Sequence, residues 1–184
     1  MNKYMLSVTK KIDHYFSQQD IANIIYLQDE EDHERLDQVV FLEKSDGDVI
    51  GIYIRGMNPL ISANRIDDVD DFNLYATYEG LLECKEKLTF KIEYIGLVFG
   101  SQYNELLGLY LSNDEASESI FMLFLHDEIL VEQGCSKVYA TRVLDARFSA
   151  NGYVTYIKES EKDWTPSCMY IRIASGECFV IDNI

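Results

Sequence analysis

Two apolar segments, each interrupted by a short polar turn, constrain the fold of this chain most. Residues 39–55 read VVFLEK, SDGD and VIGIYIR, and residues 106–125 read LLGLYLS, NDEASE and SIFMLFL. Runs rich in β-branched and aromatic residues on both sides of a polar turn predict β-hairpins. Similar runs follow at LTFKIEYIGLVF, GYVTYIK, MYIRI and CFVI. Together these segments predict roughly eight or nine strands.

Helices are predicted at fewer places. Apolar residues at helical spacing predict a helix over Lys11–Leu27, and Glu–Lys pairs favour a short one over Tyr75–Lys87. HDEILVEQ fits a helical turn or a further strand, and KVYATRV is predicted as a strand. We therefore expect an α+β fold with a largely antiparallel or mixed sheet of roughly eight or nine strands and two or three helices concentrated near the N-terminus. A length of 184 residues suits one globular domain spanning residues 1–184.

Charge limits the classes of partner. The chain has 32 acidic and 16 basic residues, which gives a net charge of −16. Such a balance argues against direct binding of nucleic acid or of an anionic membrane surface, since both need clustered Lys and Arg. It favours attraction of basic partners from a distance. The densest acidic run, QDEEDHERLD at residues 28–37, is predicted to be an exposed connector, and residues 92–136 contain no Lys or Arg.

The location is expected to be cytoplasmic. The N-terminus has no apolar region of signal-peptide length, and the longest run of large apolar residues, Ile120–Leu125, is too short to cross a bilayer. The four cysteines have no CxxC spacing, so free buried thiols in a reducing compartment are predicted. They are Cys84, Cys135, Cys168 and Cys178.

Motifs that carry chemistry are missing from the sequence. There is no GxSxG, Walker, GxGxxG or HExxH pattern. Residues 68–79 place acids at some positions of a calcium loop, but Phe72 and Asn73 stand where a fifth-position ligand and the turn glycine belong. His14, His33 and His126 lack zinc spacing, and Cys135 is expected to be buried rather than nucleophilic. We therefore expect no enzyme activity, no metal and no cofactor.

Tyrosines beside carboxylates provide the candidate contact residues. The chain has 13 Tyr, and those in the acidic region match the composition of a surface that captures Lys and Arg side chains. The alternative is that strand tyrosines pack a half-buried sheet. The predicted partner-binding residues are Asp67, Asp68, Asp70, Asp71, Tyr75, Tyr78, Glu79, Tyr103, Glu105, Tyr110, Asp114, Glu115 and Glu118.

Three functions follow as hypotheses. The favoured one is an acidic, non-enzymatic inhibitor that neutralises a basic protein, such as an immunity protein against a nuclease-type toxin or a phage-type inhibitor of a nucleic-acid enzyme. The second is a small-ligand-binding domain or an enzyme whose site is assembled from scattered Asp, His and Tyr residues. The third is a subunit of a larger assembly.

Overall fold

The structure is a computed structural model, and it describes residues 2–55, 58–63, 81–100, 105–113, 117–148, 153–159, 162–172 and 178–182. This part of the chain contains two helices and twelve strands. In chain order they are α1 (Lys3–Phe16), β1 (Asp20–Gln28), β2 (Arg35–Lys44), β3 (Val49–Arg55), β4 (Asn58–Ala63), β5 (Leu82–Lys91), β6 (Tyr94–Gly100), β7 (Leu106–Ser112), β8 (Ser119–Phe124), β9 (Ile129–Gln133), α2 (Lys137–Phe148), β10 (Tyr153–Glu159), β11 (Thr165–Arg172) and β12 (Cys178–Asp182).

The strands form two sheets, and the chain divides into two compact units. One sheet has five strands in the order β4-β3-β2-β1-β5, and the other has seven in the order β12-β11-β10-β6-β7-β8-β9. The first unit comprises Met1–Gln18, Ile92–Leu123 and Val131–Ile184, and the second comprises Gln19–Lys91 and Phe124–Leu130. A mostly antiparallel sheet structure with few helices agrees with the expected fold class, but the described residues form twelve strands in two sheets, not roughly eight or nine strands in one. The single domain over residues 1–184 stays a prediction.

The predicted hairpin over residues 39–55 is confirmed as β2 and β3. Leu42 pairs with Ile50 in antiparallel register. The Lys44 N–H donates to the Asp48 carbonyl at 2.8 Å, and the Gly47 N–H donates back to the Lys44 carbonyl at 3.0 Å. Gly47 has φ +92°, a conformation that side chains disfavour, so the glycine of SDGD is what permits the turn. The hairpin over residues 106–125 is likewise confirmed as β7 and β8.

The predicted helix over Lys11–Leu27 is wrong in its second half. Helix α1 ends at Phe16, Gln18 takes a positive φ of 60°, and β1 starts at Asp20. The four residues Ile24–Leu27 are all buried, so this strand is covered on both faces. A strand buried on both faces shows no alternation, and its apolar run is easily read as helical spacing.

Helix α1 packs on one face of the seven-stranded sheet. The Asn2 side chain begins the helix by accepting the Met5 N–H at 2.9 Å. Tyr4 meets Phe99 of β6 edge to face, with ring centroids 6.3 Å apart. Asp13 accepts a hydrogen bond from the Lys158 ammonium of β10 at 2.8 Å and another from the Trp164 indole N–H at 3.0 Å. The helix is therefore attached by a ring contact near its start and a charged contact near its end.

Several other predictions need correction. KVYATRV belongs to helix α2 rather than to a strand, so the helices are not confined to the N-terminal region. HDEILVEQ contains β9, which supports the strand alternative. The end of the predicted helix Tyr75–Lys87 is strand β5 from Leu82 onward, and its start lies outside the described residues. No helix in the described ranges is long and apolar enough to cross a membrane.

Candidate functional site

The acidic run QDEEDHERLD contains the loop that joins β1 to β2. The Asp29 carboxylate accepts the Glu31 N–H at 2.7 Å, and the Asp32 carboxylate accepts the Glu34 N–H at 2.9 Å. The Asp29 N–H donates to the Glu34 carbonyl at 2.9 Å and closes the loop. Two of the acids thus fold the loop by bonding to nearby backbone, while Glu30 and Glu31 point their exposed side chains outward. The prediction of an exposed connector is confirmed.

Strand β5 adds further charge beside this loop. Its residue Leu82 pairs with Gln28 and Glu83 pairs with Leu27, so the start of β5 lies where β1 enters the loop. Glu83 is exposed, and Leu82 is an exposed large apolar residue. We call loop residues 29–34 together with Glu83 the acidic end of the five-stranded sheet.

One cation at this end, Arg35 at the start of β2, is exposed and contacts groups of its own sheet. The Arg35 guanidinium lies over the Tyr26 ring, 2.7 Å from its centroid. Burial lowers the pKa of Arg35, and the nearby carboxylates of Glu86 and Asp37 oppose that shift. Arg35 therefore places its charge against an aromatic face and carboxylates of its own sheet.

Only three of the predicted partner-binding residues lie in the described part of the chain. Glu118 is exposed in the β7–β8 turn, where its N–H donates to the Asn113 side chain at 3.3 Å. Glu105 is half-buried at the start of β7, so the two acids lie at opposite ends of that strand. Residues outside the described ranges are Asp67, Asp68, Asp70, Asp71, Tyr75, Tyr78, Glu79, Tyr103, Asp114 and Glu115.

Tyr110, the third predicted partner-binding residue in the described part of the chain, belongs to the core. It is 5% exposed, and its hydroxyl donates to the Cys135 carbonyl at 3.1 Å. That carbonyl also accepts the Ser119 hydroxyl at 2.8 Å, which leaves Cys135 buried beneath the sheet. Burial raises the pKa of the Cys135 thiol. Tyr110 therefore packs within the sheet, as the alternative for strand tyrosines anticipated, and is not a surface contact.

The seven-stranded sheet borders a pocket that the sequence did not predict. It has a volume of about 200 Å³ and lies between helix α2 and the sheet face opposite α1. Most of its lining residues lie on that face of β6, β7, β8 and β10 or belong to α2. Leu97 is the exception, because the alternation of side chains along β6 places it on the other face. They are Tyr94, Gly96, Leu97, Val98, Tyr110, Phe121, Lys137, Ala140, Leu144, Tyr153, Thr155 and Ile157.

Small residues make the space. Gly96 faces Tyr110 across the β6–β7 pair, and a Cβ on the glycine would lie 3.3 Å from the Tyr110 Cβ. Ala140 and, one helical turn later, Leu144 are buried residues of α2 that face the sheet. Tyr110 therefore packs directly against the Gly96 backbone, and the small Ala140 side chain adds little volume beneath α2. A glycine within a strand was the one sequence signal for such a site.

Charge is concentrated at the rim. The Lys137 ammonium lies over the Tyr94 ring, 3.3 Å from its centroid. The Glu159 carboxylate binds Lys162 at 2.6 Å, and its pKa is lowered first by Lys162 and to a smaller extent by Lys137. Burial, reinforced by Glu159, raises the pKa of Tyr94 to about 12. At neutral pH the Tyr94 ring is therefore an uncharged wall beneath an ammonium group.

Metal binding has no candidate in the described ranges, where no three His, Cys, Asp or Glu side chains gather around one point.

Comparisons of the chain with protein-family models, with curated proteins and with solved structures find no match.

Proposed function

We propose that this chain is an acidic, non-enzymatic binding protein that neutralises a basic partner protein. Its most specific form would be an immunity protein against a nuclease-type toxin, or a phage-type inhibitor of a nucleic-acid enzyme. The observation that supports this proposal is the acidic end, where five of the six loop residues 29–34 are carboxylates. A basic active site or nucleic-acid channel is the surface that such a loop would complement.

The order of the loop strengthens the argument. Asp29 and Asp32 hold the backbone through hydrogen bonds of 2.7 and 2.9 Å, and such preorganisation reduces the entropy that a loop loses on binding. The side chains of Glu30 and Glu31 are exposed and could contact Lys or Arg side chains of a partner. With a net charge of −16, the whole chain adds long-range attraction that speeds encounter with a basic protein.

The first test identifies a partner and measures its kinetics. Proteins retained by the full chain from a native lysate are purified, and their association rates are measured at about 50 and 300 mM salt. The proposal expects a basic partner that binds one to one, associates at least about tenfold more slowly at the higher salt, and loses any nuclease activity in the complex. A neutral or acidic partner with a salt-independent association rate would contradict it.

The second test assigns the attraction to the loop. The double variant Glu30→Gln with Glu31→Gln removes two exposed carboxylates from the acidic end. The control, Asp127→Asn with Glu132→Gln, removes two exposed carboxylates elsewhere and changes net charge equally. We expect the loop variant to slow association several-fold more than the control. Equal slowing by both would show that the net charge acts without a defined acidic surface.

A further inference from the structure

The pocket beneath α2 has a size that suits a single ring. Its volume is about 200 Å³, and an apolar protein cavity of about 150 Å³ is large enough to bind benzene. A ring with a short substituent therefore fits, whereas drug-sized ligands need larger sites of roughly 300 Å³ and above. The lining of mainly aromatic and aliphatic side chains would exclude strongly hydrated molecules from the interior.

The walls favour an aromatic ring. Tyr94 and Tyr110 meet edge to face, with centroids 5.9 Å apart and an interplanar angle of 80°. Tyr110 and Phe121 continue the series at 6.3 Å with tilted rings. Rings in such arrangements present both edges and faces, so an added ring can join the series with the same geometry. Leu144 of α2 supplies an aliphatic side to the same space.

The rim favours an anion. Lys137 is the first residue of α2, and the first turn of this helix contains no acid. A positive charge at a helix N-terminus is unfavourable for the helix, because the helix dipole already makes this end positive. The ammonium and the helix end therefore place two positive features at the mouth of an apolar pocket, where the Glu159 carboxylate is the nearby opposing charge. A carboxylate is the group that both features would attract.

We propose that this pocket binds a small aromatic carboxylate, with its ring between Tyr94, Phe121 and Leu144 and its carboxylate at the Lys137 ammonium. This function does not depend on the acidic end. Its site is formed by different elements, and its ligand carries the opposite charge to the proposed protein partner. Either proposal can therefore fail without affecting the other.

The experiment compares three probes of one shape and different charge. Phenylacetate, its neutral isostere phenylacetamide, and the cation phenethylamine are titrated into the isotopically labelled full chain, and amide shifts are followed by NMR. We expect phenylacetate to shift amides of β6, β10 and the start of α2, and to bind about tenfold more tightly than phenylacetamide. Absence of saturable shifts at these amides, or tighter binding of phenethylamine, would overturn the proposal.

Two matched variants separate charge from shape. Lys137→Met keeps the length of the side chain and should bring phenylacetate to the affinity of phenylacetamide. The loss of the Lys137–Tyr94 contact offsets the relief of positive charge at the helix end, so the variant should stay folded. Lys162→Met removes an ammonium that is 73% exposed beside the same Glu159 and should retain the preference for phenylacetate. A preference that survives Lys137→Met would contradict the assigned role of Lys137.

A third variant tests the interior. Thr155→Phe places a ring into the pocket from β10 and should abolish binding of all three probes. A well-dispersed amide spectrum confirms that this variant is folded. Saturable binding at the same amides in a folded Thr155→Phe variant would place the ligand elsewhere and overturn the proposal.

Discussion

The edge strand of one sheet and two inner strands of the other use antiparallel pairing to make regions of opposite character. In the five-stranded sheet, the outer strand β5 exposes most of its side chains, and the hairpin loops carry acids. In the seven-stranded sheet, every residue of β7 and β8 is buried. Strands inside a sheet that is covered on both faces supply apolar volume, whereas an edge strand and its loops supply charge. The charged candidate surface and the apolar pocket therefore belong to different sheets.

The largest expected effect tests the burial difference with one kind of substitution at two positions. Leu109 of β7 is fully buried, and Leu82 of β5 is 42% exposed. Leu109→Ala should lower the free energy of unfolding by about 2–5 kcal/mol, because it leaves a cavity. Leu82→Ala should lower it by less than about 1 kcal/mol. Urea unfolding of both variants measures the difference, and equal losses would contradict the contrast between the inner strand β7 and the edge strand β5.

The sequence predicted the hairpins well and the ends of the helices poorly. The turn SDGD and the loop NDEASE separate apolar runs so clearly that both hairpins were predicted with their partners. The run from Ile21 to Leu27 was misassigned because burial on both faces removes the two-residue period. KVYATRV is misassigned because its β-branched and aromatic residues favour strands, whereas the structure has it at the start of α2.

The second largest expected effect on stability comes from comparing one ion pair in each of the two compact units. Asp13 of α1 accepts hydrogen bonds from Lys158 and Trp164, and the Asp13 and Lys158 side chains are 32% and 16% exposed. Asp13→Asn should lower the free energy of unfolding by about 1–3 kcal/mol, because it leaves a largely buried ammonium with a weaker partner. The fluorescence of Trp164, the single tryptophan, should also change.

Its control lies in the β2–β3 turn. Asp48 is 72% exposed and binds Lys44 at 3.0 Å. Asp48→Asn should lower the free energy of unfolding by less than about 1 kcal/mol, since exposed ion pairs contribute little. Urea unfolding at low and high salt measures both variants. A larger loss for Asp48→Asn than for Asp13→Asn would show that the attachment of α1 does not depend on this carboxylate.

The candidate sites differed in how far sequence could predict them. The acidic loop is contiguous, so its composition could be read directly, although its internal hydrogen bonds could not. The pocket combines Gly96, Ala140 and Thr155 from three separate elements with rings from others. No spacing in the sequence brings these residues together, because their proximity depends on the sheet order β10-β6-β7-β8 and on the placement of α2.

The smallest effect at neutral pH concerns Tyr94. Burial raises the pKa of its phenol to about 12. An unfolded tyrosine ionises near pH 10. Between these values the unfolded chain has lost the phenol proton while the folded chain retains it, so stability decreases as pH rises through this range. Below about pH 10 the phenol is neutral in both states, and Tyr94 adds no pH dependence.

The variant Tyr94→Phe removes this ionisable group and keeps the ring beneath Lys137. The free energy of unfolding of Tyr94→Phe should therefore decrease less steeply than that of the wild type between pH 10 and the onset of alkaline unfolding. Below pH 9 the pH dependence of the two proteins should be the same. Urea unfolding across this pH range measures the difference. Parallel curves above pH 10 would mean that the Tyr94 hydroxyl is solvated, and that the wall of the pocket is more open to water than the raised pKa of Tyr94 implies.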